Sequence, residues 1–204
     1  MSYLVAVCGP IGSGKTSIVR GLVGQLGDAT AIHMDSYEQM TSAPVREVLQ
    51  WAERGADFES LEVPLLAEHL QRLKRGEAVV EPAGRTTITP RKYLVFETQF
   101  GRAHRATGAQ IDLLIWIDVA LDVALARKLK LFAGEALRDE RADAARERLA
   151  WLDGYLGNYL QLVSPLMQVQ AARVRPQADL VIDGSGALDA SVRRAAREIL
   201  TRLP

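Results

Sequence analysis

The stretch CGPIGSGKTS, residues 8–17, decides the fold of this chain. From Gly9 onward it matches the spacing G-x-x-x-x-G-K-[S/T], which ends here in Lys15 and Thr16 and is the pattern of a phosphate-binding loop, or P-loop. Glycines let successive backbone N–H groups turn inward around a phosphate, and the first turn of a helix adds a partial positive charge. The residues that we expect to contact a bound nucleotide are Gly9, Ile11, Gly12, Ser13, Gly14, Lys15, Thr16 and Ser17.

The segments on either side of the loop have the periodicity that a P-loop requires. Residues 3–9 (YLVAVCG) form a short, continuous apolar run, which is typical of a strand buried on both faces. From Lys15 onward, apolar residues recur at helical spacing. Further strands are predicted at 30–35, 93–98, 113–119 and 179–184. Helices are predicted at 44–54, 61–75 and 122–132 and at the carboxyl end. The charge-dense stretch that follows 132 and continues toward 174 is also predicted to be helical. This alternation predicts an α/β fold with a five-stranded parallel sheet and helices on both faces.

The composition restricts the class of protein and its partners. The chain has 204 residues, 48% of them apolar, and 25 basic side chains balance 25 acidic ones. We therefore expect a single domain over 1–204 with a small helical lid near 133–145, and no attraction to nucleic acid. No apolar run reaches the roughly 20 residues of a membrane span, which argues against a membrane partner. Because Cys8 is the only cysteine, we expect no disulfide and a reducing, cytoplasmic location. The sequence is compatible with a homo-oligomer.

Two carboxylates favour phosphoryl transfer over other P-loop chemistries. A GTPase would be expected to carry an Asn/Thr-Lys-x-Asp stretch, which the chain lacks, and an AAA-type motor usually needs a longer chain. Asp35 (HMDSY) and Glu97 (VFETQ) end predicted strands, so both should lie at the carboxyl edge of the sheet, where such folds bind ligands. One can orient or deprotonate an acceptor hydroxyl, and the other can hold Mg²⁺ directly or through water. Lys15 is expected to reach the β- and γ-phosphates of ATP, and the Thr16 hydroxyl to hold Mg²⁺.

Several segments in succession resemble the uridine kinase and phosphoribulokinase branch of P-loop kinases. They are GPIGSGKTS, HMDSYEQM, DFESLEVPLLAEHLQRLKRGEAV, YLVFETQF, LLIWIDVALDVALARKLK and PQADLVIDG, and together they cover most of the chain. The resemblance implies a nucleoside-kinase-like fold that moves the γ-phosphoryl group of ATP to a hydroxyl of a small molecule. It implies that Asp35 activates the acceptor and that Glu97 is linked to magnesium. Glu59 stands where the family usually has an aspartate near the acceptor.

The acceptor side departs from this family. Uridine kinases usually carry a hairpin of the type P-x-Y-D-F-x-x-H, and this chain has EPAGRTTITPRKY there, with Arg85 as the large polar residue near its start. The aromatic and histidine platform for a pyrimidine is therefore absent from the hairpin. Tyr37, two residues beyond Asp35, is a further candidate for contact with the acceptor, beside Glu59 and Arg85.

The lid entry also departs from the family. The expected R-R-x-x-R-D is RKLKLF here, so that Arg127 and Lys128 remain but Leu131 stands where an arginine is expected. Arg138 and Arg141, in LRDERAD, are candidates to supply positive charge to the transition state instead.

The sequence thus predicts an ATP- and Mg²⁺-dependent kinase with an altered acceptor site. Its partner would be a small-molecule acceptor: a nucleoside-like compound, a sugar or another small metabolite. The alternative is a nucleotide-binding regulatory protein that kept the loop and lost phosphoryl transfer. The altered hairpin and lid favour the alternative, whereas the intact pair Asp35 and Glu97 favours the kinase.

Overall fold

The structure, a computed structural model, describes residues 2–37, 45–138 and 144–203, with the side chains of residues 45 and 144 left aside. Its strands, in chain order, are β1 (Tyr3–Cys8), β2 (Ala29–His33), β3 (Val79–Val80), β4 (Thr87–Ile88), β5 (Tyr93–Glu97), β6 (Leu113–Asp118) and β7 (Leu180–Asp183). Its helices are α1 (Lys15–Leu26), α2 (Val45–Glu53), α3 (Pro64–Lys74), α4 (Arg105–Gly108), α5 (Leu121–Ala136), α6 (Ala144–Asn158), α7 (Ser164–Val174) and α8 (Leu188–Arg202).

Five strands form one parallel sheet in the order β2–β5–β1–β6–β7. The central strand β1 is wholly inaccessible from Leu4 to Cys8, as expected for a strand with helices on both faces. The predicted five-stranded parallel α/β fold is therefore confirmed. Because all five strands run in one direction, their carboxyl ends line a single edge of the sheet.

The alternation of side chains along β1 divides the core into two layers. Leu4, Ala6 and Cys8 belong to the layer that includes the buried residues of α3. Val5 and Val7 belong to the layer that includes buried residues of α1 and α8. Helices therefore cover both faces of the sheet.

Some predicted boundaries differ from the structure. The second strand ends at His33, and Asp35 lies in a 3₁₀ turn (Met34–Ser36) instead of in the strand. A short antiparallel hairpin of β3 and β4 lies where the family resemblance implied a hairpin, although the apolar pattern predicted no strands there. The charge-dense stretch beyond α5 contains α6 and α7, which are joined by a π-helical turn (Tyr159–Val163).

The predicted lid at 133–145 falls partly on residues 139–143, which lie outside the described ranges together with Arg141. Within the described ranges, no helix combines the length and apolarity that crossing a bilayer requires.

Candidate active site

The glycine loop lies between β1 and α1 and has the backbone that its sequence predicts. Gly12 and Gly14 have φ angles of 83° and 92°, in the left-handed region that favours glycine. A methyl group at Gly12 would also overlap the backbone carbonyl of Ala124 in α5. The Ser13 Oγ atom is buried and has no hydrogen-bond partner among the described residues, which suits a loop that receives phosphate oxygens.

A Gly12→Ala variant is expected to lose most of its nucleotide affinity and to melt at a lower temperature. Both the positive φ and the overlap with Ala124 must be relieved by moving the loop, and a strained φ alone costs about 1–3 kcal/mol. Gly24→Ala is the matched control, because Gly24 lies in α1 with open space around its Cα and alanine favours helix. Calorimetric ATP binding and thermal unfolding of both variants test this; equal ATP affinity in the two would contradict it.

Lys15 begins α1 and its side chain folds over the loop. The Nζ atom donates hydrogen bonds to the carbonyl oxygens of Gly9 at 3.0 Å and Pro10 at 3.1 Å. Burial lowers the pKa of Lys15 from its ordinary value, and the negative charge of Glu97 opposes part of this shift. A phosphate anion in the loop would favour the charged ammonium further.

Glu97 joins three parts of the site at the carboxyl end of β5. Its Oε1 accepts a hydrogen bond from Thr16 Oγ1 at 2.9 Å, and its Oε2 accepts one from His33 Nδ1 at 2.8 Å. His33 and Glu97 are register partners on the adjacent parallel strands β2 and β5, so the sheet itself brings them together. Burial raises the pKa of Glu97, but the hydrogen bonds from His33 and Thr16 outweigh it, and the pKa lies below its ordinary value. Glu97 is therefore a carboxylate at neutral pH.

The hydrogen bond that lowers the pKa of Glu97 also changes the pKa of His33. The bond to Glu97 raises the pKa of His33 above its ordinary value, against the effect of partial burial. His33 was not among the site residues predicted from the sequence. The signal that could have identified it was its place near the carboxyl end of the second predicted strand, at the edge of the sheet where such folds bind ligands.

The donor set fits magnesium better than a transition metal. Thr16 and Glu97 supply hard oxygen atoms beside the loop, and Mg²⁺ is usually held by one or two such ligands together with substrate phosphates. Among the described residues, no group of three or more histidine, cysteine or acidic side chains is arranged to bind a metal ion. The residues that would hold Mg²⁺ are therefore Thr16 and Glu97, beside the nucleotide.

Asp35 is exposed in the turn after β2, near the loop. Its Oδ1 lies 3.5 Å from Gln99 Nε2, and its negative charge acts on Lys15. Gln99 follows β5 two residues beyond Glu97, so the two predicted carboxylates flank the same edge of the sheet. The exposed position leaves the Asp35 carboxylate open to an acceptor.

The three acceptor-side candidates lie in different surroundings. Tyr37 shares a hydrogen bond of 3.0 Å with His69 Nδ1, and burial, with the negative charge of Glu81, raises its pKa to about 12. Glu59 Oε1 accepts a hydrogen bond from the backbone N–H of Arg105 at 2.9 Å, so this side chain caps the start of α4. Arg85 is exposed, with a φ of 50°, in the turn of the β3–β4 hairpin.

The predicted lid cations are also dispersed. Arg127 Nη1 donates to the carbonyl oxygen of Gly184 at 2.7 Å. Lys128 lines a groove between α5 and α6, and Arg138 is exposed in the turn after α5. Arg127 thus lies close to the loop, and the role of these cations in charge stabilisation stays a prediction.

A cavity of about 200 Å³ lies beside the loop, on the side of Arg127. Its wall includes Ser13, Gly14 and Ser17 of the loop and first turn of α1, together with Gly184 and Gly186 beyond β7. This position, next to the loop and at the carboxyl edge of the sheet, suits the nucleoside part of a nucleotide.

These features define the fold of the P-loop kinases: a five-stranded parallel sheet, a glycine loop ending in Lys15 and Thr16, and a carboxylate hydrogen-bonded to that threonine. Solved kinases share the fold. A shikimate kinase from Acinetobacter baumannii matches 98% of this chain and 94% of its own, with a TM-score of 0.53 and 14% identity. A protein described as a possible uridine kinase from Bacillus stearothermophilus matches 89% of each chain, with a TM-score of 0.52 and 13% identity.

Curated proteins of similar sequence include uridine kinases. The enzyme of Halobacterium salinarum is 25% identical over 194 residues, which are 89% of this chain and 80% of that protein. The enzyme of Escherichia coli K12 is 26% identical over 200 residues, 90% of this chain and 87% of that protein. No model of a protein family matches the chain. The resemblance predicted from the motifs is therefore confirmed over about nine-tenths of the sequence.

Proposed function

We propose that this protein transfers the γ-phosphoryl group of ATP to a hydroxyl of a small molecule, with Mg²⁺. The hydrogen bond of 2.9 Å between Thr16 and Glu97 carries the proposal. It brings the P-loop hydroxyl next to a carboxylate 81 residues away, so that two oxygen groups able to hold Mg²⁺ lie together beside the loop.

Each residue of the site has a distinct task in this reaction. The loop amides and Lys15 hold the phosphates and place positive charge where negative charge develops. Thr16 and Glu97 orient the metal, which when bound neutralises phosphate charge. Asp35 orients the acceptor hydroxyl and accepts its proton. Arg127, Lys128, Arg138 and Arg141 are the candidates for further positive charge.

A screen for the acceptor is the direct test. Nucleosides, sugars and vitamin precursors are added singly to the protein with MgATP, and ADP release is compared with the rate without acceptor. A compound that raises ADP release and appears as its phosphate by mass spectrometry supports the kinase. The wild-type protein stimulated by none of a broad panel would contradict it.

A nucleotide-binding regulatory protein is the second candidate. Glu59 supports it, because its carboxylate is engaged in capping α4, and so does the exposed position of Arg85. ATP binding without stimulated ADP release would favour it. Under either function we propose a cytoplasmic protein, since a chain with one cysteine, Cys8, forms no internal disulfide, as is usual in a reducing compartment.

Uridine and cytidine are expected to be poor acceptors, in contrast to the name of the curated relatives. The hairpin lacks the aromatic and histidine side chains on which a pyrimidine would stack, and its Arg85 is exposed in the turn. Stacking on an aromatic ring is worth about 1–3 kcal/mol per base, so its loss costs about 10- to 100-fold. Steady-state kinetics with both nucleosides test this, and a kcat/KM for uridine of about 10⁴ M⁻¹s⁻¹ or more would contradict it.

A further inference from the structure

Lys15 has to give up part of its present bonding before it can bind two phosphate groups. An ammonium has three N–H donors, and two of those of Lys15 bond the carbonyl oxygens of Gly9 and Pro10. One donor is left for phosphate, so bonds to both the β- and the γ-phosphate require the release of at least one carbonyl oxygen. Gly9 and Pro10 are buried, and a buried carbonyl oxygen without a hydrogen bond is unfavourable. A second donor to each oxygen would therefore favour nucleotide binding.

Each of these two carbonyl oxygens already has a second donor. The backbone N–H of Ser13 donates to the carbonyl oxygen of Pro10 at 3.1 Å, within the loop itself. The Nε2 atom of Gln170, in α7, donates to the carbonyl oxygen of Gly9 at 3.4 Å. Gln170 lies 161 residues from Gly9 in the chain, so the P-loop motif does not include it.

The amide of Gln170 has a defined orientation. Its side chain is buried, and its Nε2 also donates to the carbonyl oxygen of Gln99 at 2.6 Å. Because both partners are carbonyl oxygens, which only accept, the amide must present its NH₂ group to them. Its Oε1 is buried without a hydrogen-bond partner among the described residues, which is unfavourable. An apolar side chain would avoid this cost, so packing alone does not explain a glutamine here.

Helix α7 contacts the loop at a second point. The sulfur of Met167 lies 3.3 Å from the backbone N–H of Ile11. Met167 and Gln170 are three residues apart in the helix and therefore lie on the same face. This face of α7 thus holds the loop backbone at Gly9 and at Ile11, independently of Lys15.

We propose that Gln170 is a positioning residue for nucleotide binding: it keeps the Gly9 carbonyl oxygen hydrogen-bonded when Lys15 turns from that oxygen to the phosphates. This inference rests on the proposed function, because it concerns the nucleotide of the same site. The bond from Gln170 is longer than the bond of 3.0 Å from Lys15, so it can shorten once the ammonium has left. Lys15 then binds phosphate without leaving a buried oxygen unsatisfied.

A Gln170→Met variant is expected to raise the Kd for ATP about tenfold, because the Gly9 oxygen then has no second side-chain donor when Lys15 leaves it. Methionine keeps the length of the side chain and has no N–H donor. Gln168→Met is the matched control, because Gln168 is exposed in the same helix. Calorimetry gives the three affinities. Equal ATP affinity in Gln170→Met and the wild type would overturn the proposal.

A double-mutant cycle with Lys15→Met separates this role from packing. In the nucleotide-free protein, Lys15 and Gln170 both donate to the Gly9 oxygen, so each single variant leaves one of these donors. The double variant removes both. We therefore expect its folding equilibrium constant to fall about tenfold further than the product of the two single losses. Losses that simply multiply, as from packing alone, would also overturn the proposal.

Urea unfolding of the wild type, both single variants and the double variant gives these constants. If the double variant is unfolded in buffer, all four proteins are compared in the same concentration of trimethylamine N-oxide, an osmolyte that stabilises folded proteins. The outcomes distinguish the two proposals. A wild type that binds no ATP contradicts the proposed function and this inference with it. A wild type that binds ATP, with losses that simply multiply, overturns the role of Gln170 and leaves the kinase intact.

Discussion

A Lys15→Ala variant is expected to lose about 100-fold or more in phosphoryl transfer while it keeps its fold. The ammonium of Lys15 lies over the loop, 3.0 Å from the Gly9 carbonyl oxygen, where it can bind a phosphate held by the loop. A positioned positive charge in a partly dry site stabilises the transition state by about 3 kcal/mol, which corresponds to about two factors of ten in rate. The measurements are ATP affinity by calorimetry and ADP release with the acceptor that the screen identifies.

Lys92→Ala is the matched control for this experiment. Lys92 is exposed before β5, at the amino end of the sheet, with its Nζ 5.3 Å from the centre of the Tyr93 ring. Its removal should change neither ATP affinity nor turnover. Thermal unfolding of both variants shows whether the fold is kept. A folded Lys15→Ala protein with the ATP binding and turnover of the wild type would refute the P-loop assignment.

An Asp35→Asn variant is expected to lower acceptor-dependent turnover by about 10²–10⁴-fold, with ATP binding nearly unchanged. The amide keeps the shape of the side chain and removes the charge that accepts the proton. Asp35 is exposed, and its Oδ1 lies 3.5 Å from Gln99 Nε2, so the substitution should not disturb packing. Slow ATP hydrolysis without acceptor should persist.

Glu97→Gln should behave differently, because Glu97 is bonded to Thr16 instead of facing the acceptor. We expect a higher magnesium concentration for half-maximal turnover as well as slower transfer, since an amide is a weaker ligand for a hard cation. Turnover of both variants is measured against magnesium, beside Asp189→Asn and Glu198→Gln on α8 as matched controls. Full acceptor-dependent turnover in Asp35→Asn would show that another group receives the proton.

The loop and the sheet were readable from the sequence because the forces that shape them are local. Gly12 and Gly14 are needed where φ is positive, and the spacing up to Lys15 specifies where the phosphates bind. Continuous apolar runs predicted the parallel strands, since such strands are covered on both faces. Glu97 was expected at the carboxyl edge of the sheet and lies there at the end of β5.

The partners of these residues depended on the tertiary structure, because they are distant in sequence. His33 reaches Glu97 across 64 residues only because β2 and β5 are adjacent and in register. Glu59 caps α4 across 46 residues, a contact that no local pattern predicts. The sequence by itself thus determined the phosphate site, whereas the order of the strands and the packing of the helices determined which distant side chains surround it.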